Sequence, residues 1–126
     1  MKGLRRLGNA FLALSRGDSA GASATFVEAS VDHPEVAPTL MVVAARLRGG
    51  RADEAIRIWE RVIAEYPGTP EAAESELEWA RALKRRGDVN GAVAHLEHLI
   101  LSAPNSALLP QARRELELAR GTVPPS

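Results

Sequence analysis

The sequence contains no cysteine, few aromatic residues and no excess of either charge. Without cysteine the chain has no disulfide framework, no thiolate nucleophile and no cysteine-based zinc site. Its 16 Lys and Arg residues balance its 16 Asp and Glu residues, whereas proteins that hold a nucleic acid backbone normally carry a marked basic excess. We therefore predict no nucleic acid partner.

Long apolar runs are also missing. The longest candidates, residues 40–45 and 99–101, are far shorter than the roughly 20 residues that cross a bilayer. The apolar stretch 10–14 follows several basic residues, but it is too short for the hydrophobic region of a signal peptide. We expect a cytoplasmic location, with the periplasm or the cell envelope as the alternative if a leader has been removed from the sequence.

Three segments of the chain align without internal gaps. They begin at Gly17, Gly50 and Gly87, which are 33 and 37 residues apart, and each ends in a proline. Inside each segment apolar residues recur at steps of four and three, which places them on one helical face. These residues are Ala22, Phe26 and Ala29, then Ala55, Trp59 and Val62, then Ala92, Leu96 and Leu99. The alanine lets a neighbouring helix approach closely, and the large side chain fills the space beside it.

Regular start and stop signals surround these stripes. An Arg-Gly pair ends four apolar-periodic stretches, at residues 16–17, 48–49, 86–87 and 120–121. Glycine can adopt the left-handed conformation after a helix, and arginine faces the negative helix end. Candidate helix caps stand at Asp18, Asp53, Asp88, Thr69 and Asn105-Ser106, and helix-ending prolines at 34, 67 and 104.

These signals predict seven helices and no strand. We place the helices near residues 3–16, 18–32, 36–48, 52–65, 70–86, 88–102 and 106–120. The helices form one domain, residues 1–121, with repeats at about 3–34, 36–67 and 70–104 and a capping helix at 106–120. Residues 122–126 are predicted to be a flexible tail.

The pattern Gly…Ala-x3-Phe/Trp…Pro, on a period of about 34 residues, resembles the tetratricopeptide repeat. Leu7, Gly8 and Phe11 are similar to the LG-x-x-Y sequence of the family's first helix. Segments 65–88 and 102–121 are similar to the longer repeats of bacterial envelope proteins such as the Tol-Pal-associated coordinator and the repeat lipoprotein of outer-membrane protein assembly. The resemblance implies an all-α, right-handed superhelix of three helix hairpins plus a capping helix, acting as a non-enzymatic scaffold for protein partners.

The resemblance also implies a concave groove lined by the first helix of each pair. In the register of the glycines, the groove residues are Leu7, Phe11, Leu14, Leu40, Ala44, Leu47, Leu77, Arg81, Lys84 and Arg85. One end of this groove is apolar and the other is basic. A peptide with apolar anchors and acidic residues could dock there. Alternatively, the leucines pack internally and the cations only compensate a helix end.

The first helix offers two further possibilities. Leu4, Leu7, Phe11 and Leu14 form an apolar edge that no preceding helix covers, so it could dock a partner or a second copy of the chain. Because this helix is basic and lacks acids, it could also lie on an anionic membrane surface. The last helix places Leu109, Ala112, Leu116 and Ala119 on one stripe, as expected of a solvating cap, or of a removable helix that gates the groove.

The sequence gives little indication of a catalytic, metal or cofactor site. His95 and His98 are three residues apart, but the repeat turns both toward the surface and supplies no third metal ligand. The glutamates at 71, 74, 76 and 78 are ordinary for the start of a helix, and the two tryptophans, Trp59 and Trp79, are expected to fill the core. No phosphate-binding, dinucleotide or zinc-hydrolase motif is present. We predict no catalytic residue, no metal and no cofactor.

Overall fold

The computed structural model of the protein describes residues 2–49 and 51–121. Over these two stretches the chain forms seven α-helices and no strand, which confirms the predicted all-α fold. In chain order they are α1 (Lys2–Ser15), α2 (Ser19–Asp32), α3 (Ala37–Arg46), α4 (Ala52–Glu65), α5 (Pro70–Arg85), α6 (Val89–Ser102) and α7 (Leu109–Ala119). Gly50 and the predicted tail, 122–126, lie outside the described residues.

The helices divide into two compact units. The first, Met1–Tyr66, contains α1 to α4, and the second, Pro67–Ser126, contains α5 to α7. In the first unit α2 packs on α1, α3 on α2 and α4 on α3. In the second unit α6 packs on both α5 and α7. The boundary falls at Pro67, where the second predicted repeat ends.

A left-handed glycine follows the helix at each of the four Arg-Gly pairs. The φ angles are 79° at Gly17, 55° at Gly49, 88° at Gly87 and 68° at Gly121. Each glycine N–H donates a hydrogen bond to the carbonyl three residues earlier, at 3.0 to 3.1 Å. A residue with a Cβ would be strained in this conformation. The four predicted helix stops are confirmed.

Two of the three predicted aspartate caps are present at second helices. In both, the aspartate Oδ1 accepts a 2.9 Å hydrogen bond from a glycine N–H: Gly21 bonds to Asp18, and Gly91 to Asp88. The prediction for Asp53 is wrong. Arg51 holds the cap position of α4 without a side-chain hydrogen bond, and Asp53 lies in the first turn, where its charge faces the positive helix end.

The helix α7 begins three residues later than predicted. Thr69 caps α5 as expected, since its Oγ1 accepts the N–H of Ala72 at 3.1 Å. Ser106 instead accepts the N–H of Leu108, only two residues ahead, also at 3.1 Å. A serine bond of this kind closes a turn and competes with helix formation, so the helix starts only at Leu109.

The small residues of the repeat lie in the core, as predicted. Ala22 and Ala92 have no exposed surface, and Ala55 is 2% exposed. The large residues one turn further on, Phe26, Trp59 and Leu96, are buried as well. Each second helix therefore places one face in the core through the same pair of positions.

Trp59→Ala should destabilise the first unit by about 3–5 kcal/mol, because it removes a buried aromatic side chain and leaves a cavity. Urea unfolding followed by far-UV circular dichroism measures this loss. Val31→Ala is the matched control, since Val31 is 73% exposed on α2 of the same unit and should change stability by no more than about 0.5 kcal/mol. Equal effects of the two substitutions would contradict the assignment of Trp59 to the core.

Candidate partner-binding surfaces

The first unit holds six of the predicted groove residues. Ala44 of α3 is fully buried, so it belongs to the core and has no surface for a partner. Leu7 of α1 and Leu40 and Leu47, near the two ends of α3, are half-buried. Phe11 and Leu14 are the exposed members of the set, both on α1. Of the predicted groove residues in this unit, the exposed ones therefore all lie on α1.

Three neighbouring apolar residues of α1 face solvent. Phe11 is 56% exposed, Leu12 is 47% exposed and Leu14 is 39% exposed. We call these three residues the α1 patch. The sequence prediction missed Leu12, because it counted only the stripe of Leu4, Leu7, Phe11 and Leu14, and Leu12 lies off that stripe. The side chain of Leu4, also predicted for this edge, lies outside the described residues.

Phe11 is held in place although more than half of it is exposed. Its ring packs in a T-shaped arrangement with the buried Phe26 ring of α2, with centroids 5.3 Å apart and planes at 90°. This edge-to-face arrangement is favourable for aromatic pairs. A partner would thus meet an aromatic side chain that is already oriented, which lowers the entropy lost on binding.

The second unit holds the basic end of the predicted groove. Leu77 is only 2% exposed and packs in the core of α5, α6 and α7, so it cannot line a binding surface there. Lys84 and Arg85 are exposed, and Arg81 is half-buried. Of the four predicted residues in this unit, only the cations reach the surface.

Arg81 is already paired within the chain. Its Nη1 donates to Glu78 at 2.8 Å, and its Nε donates to Glu115 of α7 at 3.1 Å. Partial burial lowers the pKa of Arg81, but the hydrogen bonds and negative charges of the two glutamates outweigh burial, so its pKa is raised above the usual value. Lys84 Nζ lies 3.9 Å from the other carboxylate oxygen of Glu115.

A buried carboxylate joins α5 to α6. Glu76 is 5% exposed, and its two oxygens contact Nδ1 of His95 at 3.0 Å and Nδ1 of His98 at 2.6 Å. The His95 ring also stacks on Trp79, with centroids 3.9 Å apart. The expectation that Glu76 is an ordinary glutamate near a helix start is wrong, and His95 is partly buried against α5.

The position of Glu76 could have been found from the sequence. It stands four residues after Ala72 and four before Ala80, both of which are buried, so it shares their helical face. A buried carboxylate needs hydrogen-bond donors, and the two histidines supply them. Within the described residues, no group of three or more His, Cys, Asp or Glu side chains is arranged to hold a metal ion.

A cavity that the sequence did not predict lies in the second unit. It has a volume of about 600 Å³ and opens between the start of α5 and the loop from α6 to α7. Apolar atoms of Pro70, Pro104 and Leu108 contribute to its wall, and Glu71 and Glu74 lie beside them. Its volume falls in the range of small-molecule sites.

The described geometry is that of a repeat protein built from helix hairpins. Comparison with known families identifies the repeat: residues 41–69 and 74–106 match the tetratricopeptide repeat. These segments correspond to the hairpins α3–α4 and α5–α6 and cover about half of the chain. The protein therefore carries tetratricopeptide repeats, a typically non-enzymatic module that generally mediates protein–protein interactions.

A comparison with curated proteins gives no match. No helix in the described stretches combines the length and the apolar character needed to span a membrane.

Glu76→Ala should destabilise the second unit by about 1.5–3 kcal/mol, because hydrogen bonds to a buried charged acceptor are lost. A double-mutant cycle with His98→Ala tests the contact directly. We expect a coupling free energy above about 0.5 kcal/mol between the two substitutions in urea unfolding. Strict additivity of the single effects would show that the contact with His98 does not stabilise the fold.

Proposed function

We propose that this protein is an interaction scaffold that binds a subunit of a larger assembly through the α1 patch. The observation that carries the proposal is the exposure of three large apolar side chains, Phe11, Leu12 and Leu14, within four positions of one helix. Clusters of exposed large apolar side chains are candidate sites of association on a protein surface. Tetratricopeptide repeats supply the general function, and the α1 patch supplies the candidate surface.

The α1 patch is a better candidate than the predicted groove as a whole. Two groove residues, Ala44 and Leu77, are buried, and one groove cation, Arg81, is paired with glutamates of the same chain. By contrast, each residue of the α1 patch retains more than a third of its surface. A few well-buried side chains, often aromatic, dominate interface energies, so Phe11 is the main anchor of the α1 patch.

The partner is expected to be a protein with an apolar helical or extended segment. Arg5 on α1 and Arg16, directly after the helix, are both exposed, and α1 contains no acidic residue. A complementary segment would therefore place aliphatic or aromatic residues over Phe11 and acidic residues near the two arginines. The likeness of segments 65–88 and 102–121 to bacterial envelope repeats supports a partner in cell-envelope assembly.

Self-association through the same helix is the alternative use of the α1 patch, and contact with an anionic membrane is a weaker one. At the other end of the chain, α7 exposes mainly polar and charged residues, namely Gln111, Arg113, Arg114 and Glu117. Such a surface complements an apolar patch poorly, so α7 is an unfavourable face for end-to-end stacking, although Leu118 on the same helix is 40% exposed. A heterologous protein partner is therefore favoured over an extended self-assembly.

Photo-crosslinking from the α1 patch separates these three uses. Benzoylphenylalanine at Leu12, introduced into the full chain in cells that naturally make the protein, should capture one defined protein that mass spectrometry identifies. The same residue at Val31, which is 73% exposed on α2 of the same unit, should not capture it. A Phe11→Glu and Leu14→Glu double variant should reduce the crosslink roughly tenfold or more.

The alternative outcomes are distinct. Crosslinks only between copies of this chain would indicate self-association, and crosslinks only to lipid would indicate a membrane anchor. Equal capture from Leu12 and Val31 would mean that the α1 patch is not a specific binding surface. Circular dichroism of the double variant checks that its helices are intact.

A further inference from the structure

The cavity of the second unit lies between two well-defined walls, and we call it the α5 cavity. One wall is a single face of α5, because its lining residues there, Pro70, Glu71, Ala73 and Glu74, form two pairs spaced by three positions. The opposite wall consists of residues 102–108, the end of α6 and the loop that follows it. The volume of about 600 Å³ is sufficient for a whole small molecule.

Hydrogen bonds hold both walls in place. In the loop, the N–H of Ser106 donates to the Ala103 carbonyl at 3.0 Å, and the N–H of Leu109 donates to the Ser106 carbonyl at 3.2 Å. The turn at Ser106 Oγ, which accepts the N–H of Leu108, fixes the loop further. On the other side, the Thr69 cap fixes the start of α5. Because the walls are already ordered, a ligand loses less entropy when it binds.

The charged side chains of the α5 cavity are acidic. Glu71 and Glu74 line it, and the described residues around it include no Lys, Arg or His. The positive end of α5 offsets part of this charge. The negative end of α6 also lines the cavity and has a similar partial charge, and the last turn of α6 contains no basic residue. The two helix ends therefore roughly cancel, and the glutamates make the cavity negative.

Glu71 is the carboxylate that remains open to a ligand. Its side chain forms no hydrogen bond or ion pair with the described residues, whereas Glu74 already has an interaction within the chain. Glu71 is also half-buried. A carboxylate with reduced contact with water interacts more strongly with a cation than one on the open surface does.

We propose that the α5 cavity binds a small organic amine, whose ammonium group pairs with Glu71 while its apolar body contacts Pro70, Pro104 and Leu108. An ammonium group donates charge-assisted hydrogen bonds to a carboxylate. The apolar body gains free energy when it leaves water for the apolar part of the wall. This site lies in the second unit and goes beyond the proposed function, since it does not depend on the α1 patch.

An organic cation fits the α5 cavity better than a metal ion does. Ca²⁺ takes six to eight oxygen ligands, and within the described part of the chain no three His, Cys, Asp or Glu side chains are grouped to hold a metal ion. A metal ion would also gain nothing from the apolar wall. The lysine side chain of a partner offers the same ammonium chemistry, but the cavity volume is that of a site for a separate small ligand.

NMR titration of the full chain with hexylamine at neutral pH and low salt tests the proposal. Hexylamine is positively charged under these conditions, and hexanol is the matched neutral probe. We expect hexylamine to shift the backbone amide signals of residues within 68–74 and 102–108, with a Kd of roughly millimolar size for so small a ligand. Hexanol should bind at least about fivefold more weakly, because it lacks the charge that pairs with Glu71.

Glu71→Gln locates the ammonium group. This variant keeps the size of the side chain but should weaken hexylamine binding about fivefold, while hexanol binding changes less than about twofold. Glu60→Gln is the control, because Glu60 is exposed on α4 of the first unit. It removes the same charge from the chain and should change hexylamine binding less than about twofold. The amide spectrum of each variant shows that its fold is intact.

Four results would overturn the proposal. Equal binding of hexylamine and hexanol would exclude recognition of the ammonium group, and equal losses from Glu71→Gln and Glu60→Gln would reduce the effect to overall charge. Shifts scattered outside residues 68–74 and 102–108 would place the amine elsewhere. Binding of acetyl-lysine methylamide at the same amides, about tenfold or more tighter than hexylamine, would assign the cavity to a side chain of a protein partner.

Discussion

Close approach of neighbouring helices at alanine is the constraint on which the rest of this structure depends. Ala22, Ala55 and Ala92 are buried in the second helices, and a larger side chain at these positions would push a packed neighbour away. The large residue one turn further on fills the space that this approach leaves beside it. The same pair of a small and a large residue recurs in each second helix. Each hairpin can therefore form a packed core although the sequence has few aromatic residues. In the second unit, the contacts of Glu76 with His95 and His98 join two helices that pack in this way.

Features that depend on short stretches of chain were predictable from the sequence. The Arg-Gly stops are set by the backbone freedom of one residue, so they agree with the structure at all four places. The buried stripes follow from helical spacing alone and agree as well. Errors arose where two local interactions compete. Ser106 closes a turn instead of capping α7, and Asp53 enters the first turn of α4 while Arg51 holds the cap position.

The contacts of the candidate surfaces were less predictable, because they depend on the register between helices. Glu76 lies 19 and 22 residues from the two histidines that it contacts. Helical spacing identifies the buried face of Glu76, but not which residues of α6 oppose it. The same limit applies to Arg81 and Glu115, 34 residues apart. Residue type alone indicates several cations near the end of α5, whereas the structure was needed to find the carboxylate of Glu115 that contacts Arg81 and Lys84.

The two units therefore offer a partner different kinds of surface. In the second unit, charge is largely compensated inside the chain: Glu115 faces Arg81 and Lys84, and two histidines contact Glu76. A partner at these positions must replace an existing interaction, so its net gain is small and depends on salt. In the first unit, the described side chains of the α1 patch are apolar and form no ion pair that a partner must replace. Phe11 makes a T-shaped contact with Phe26, which leaves more than half of its surface exposed. Burial of this patch releases water without breaking an ion pair.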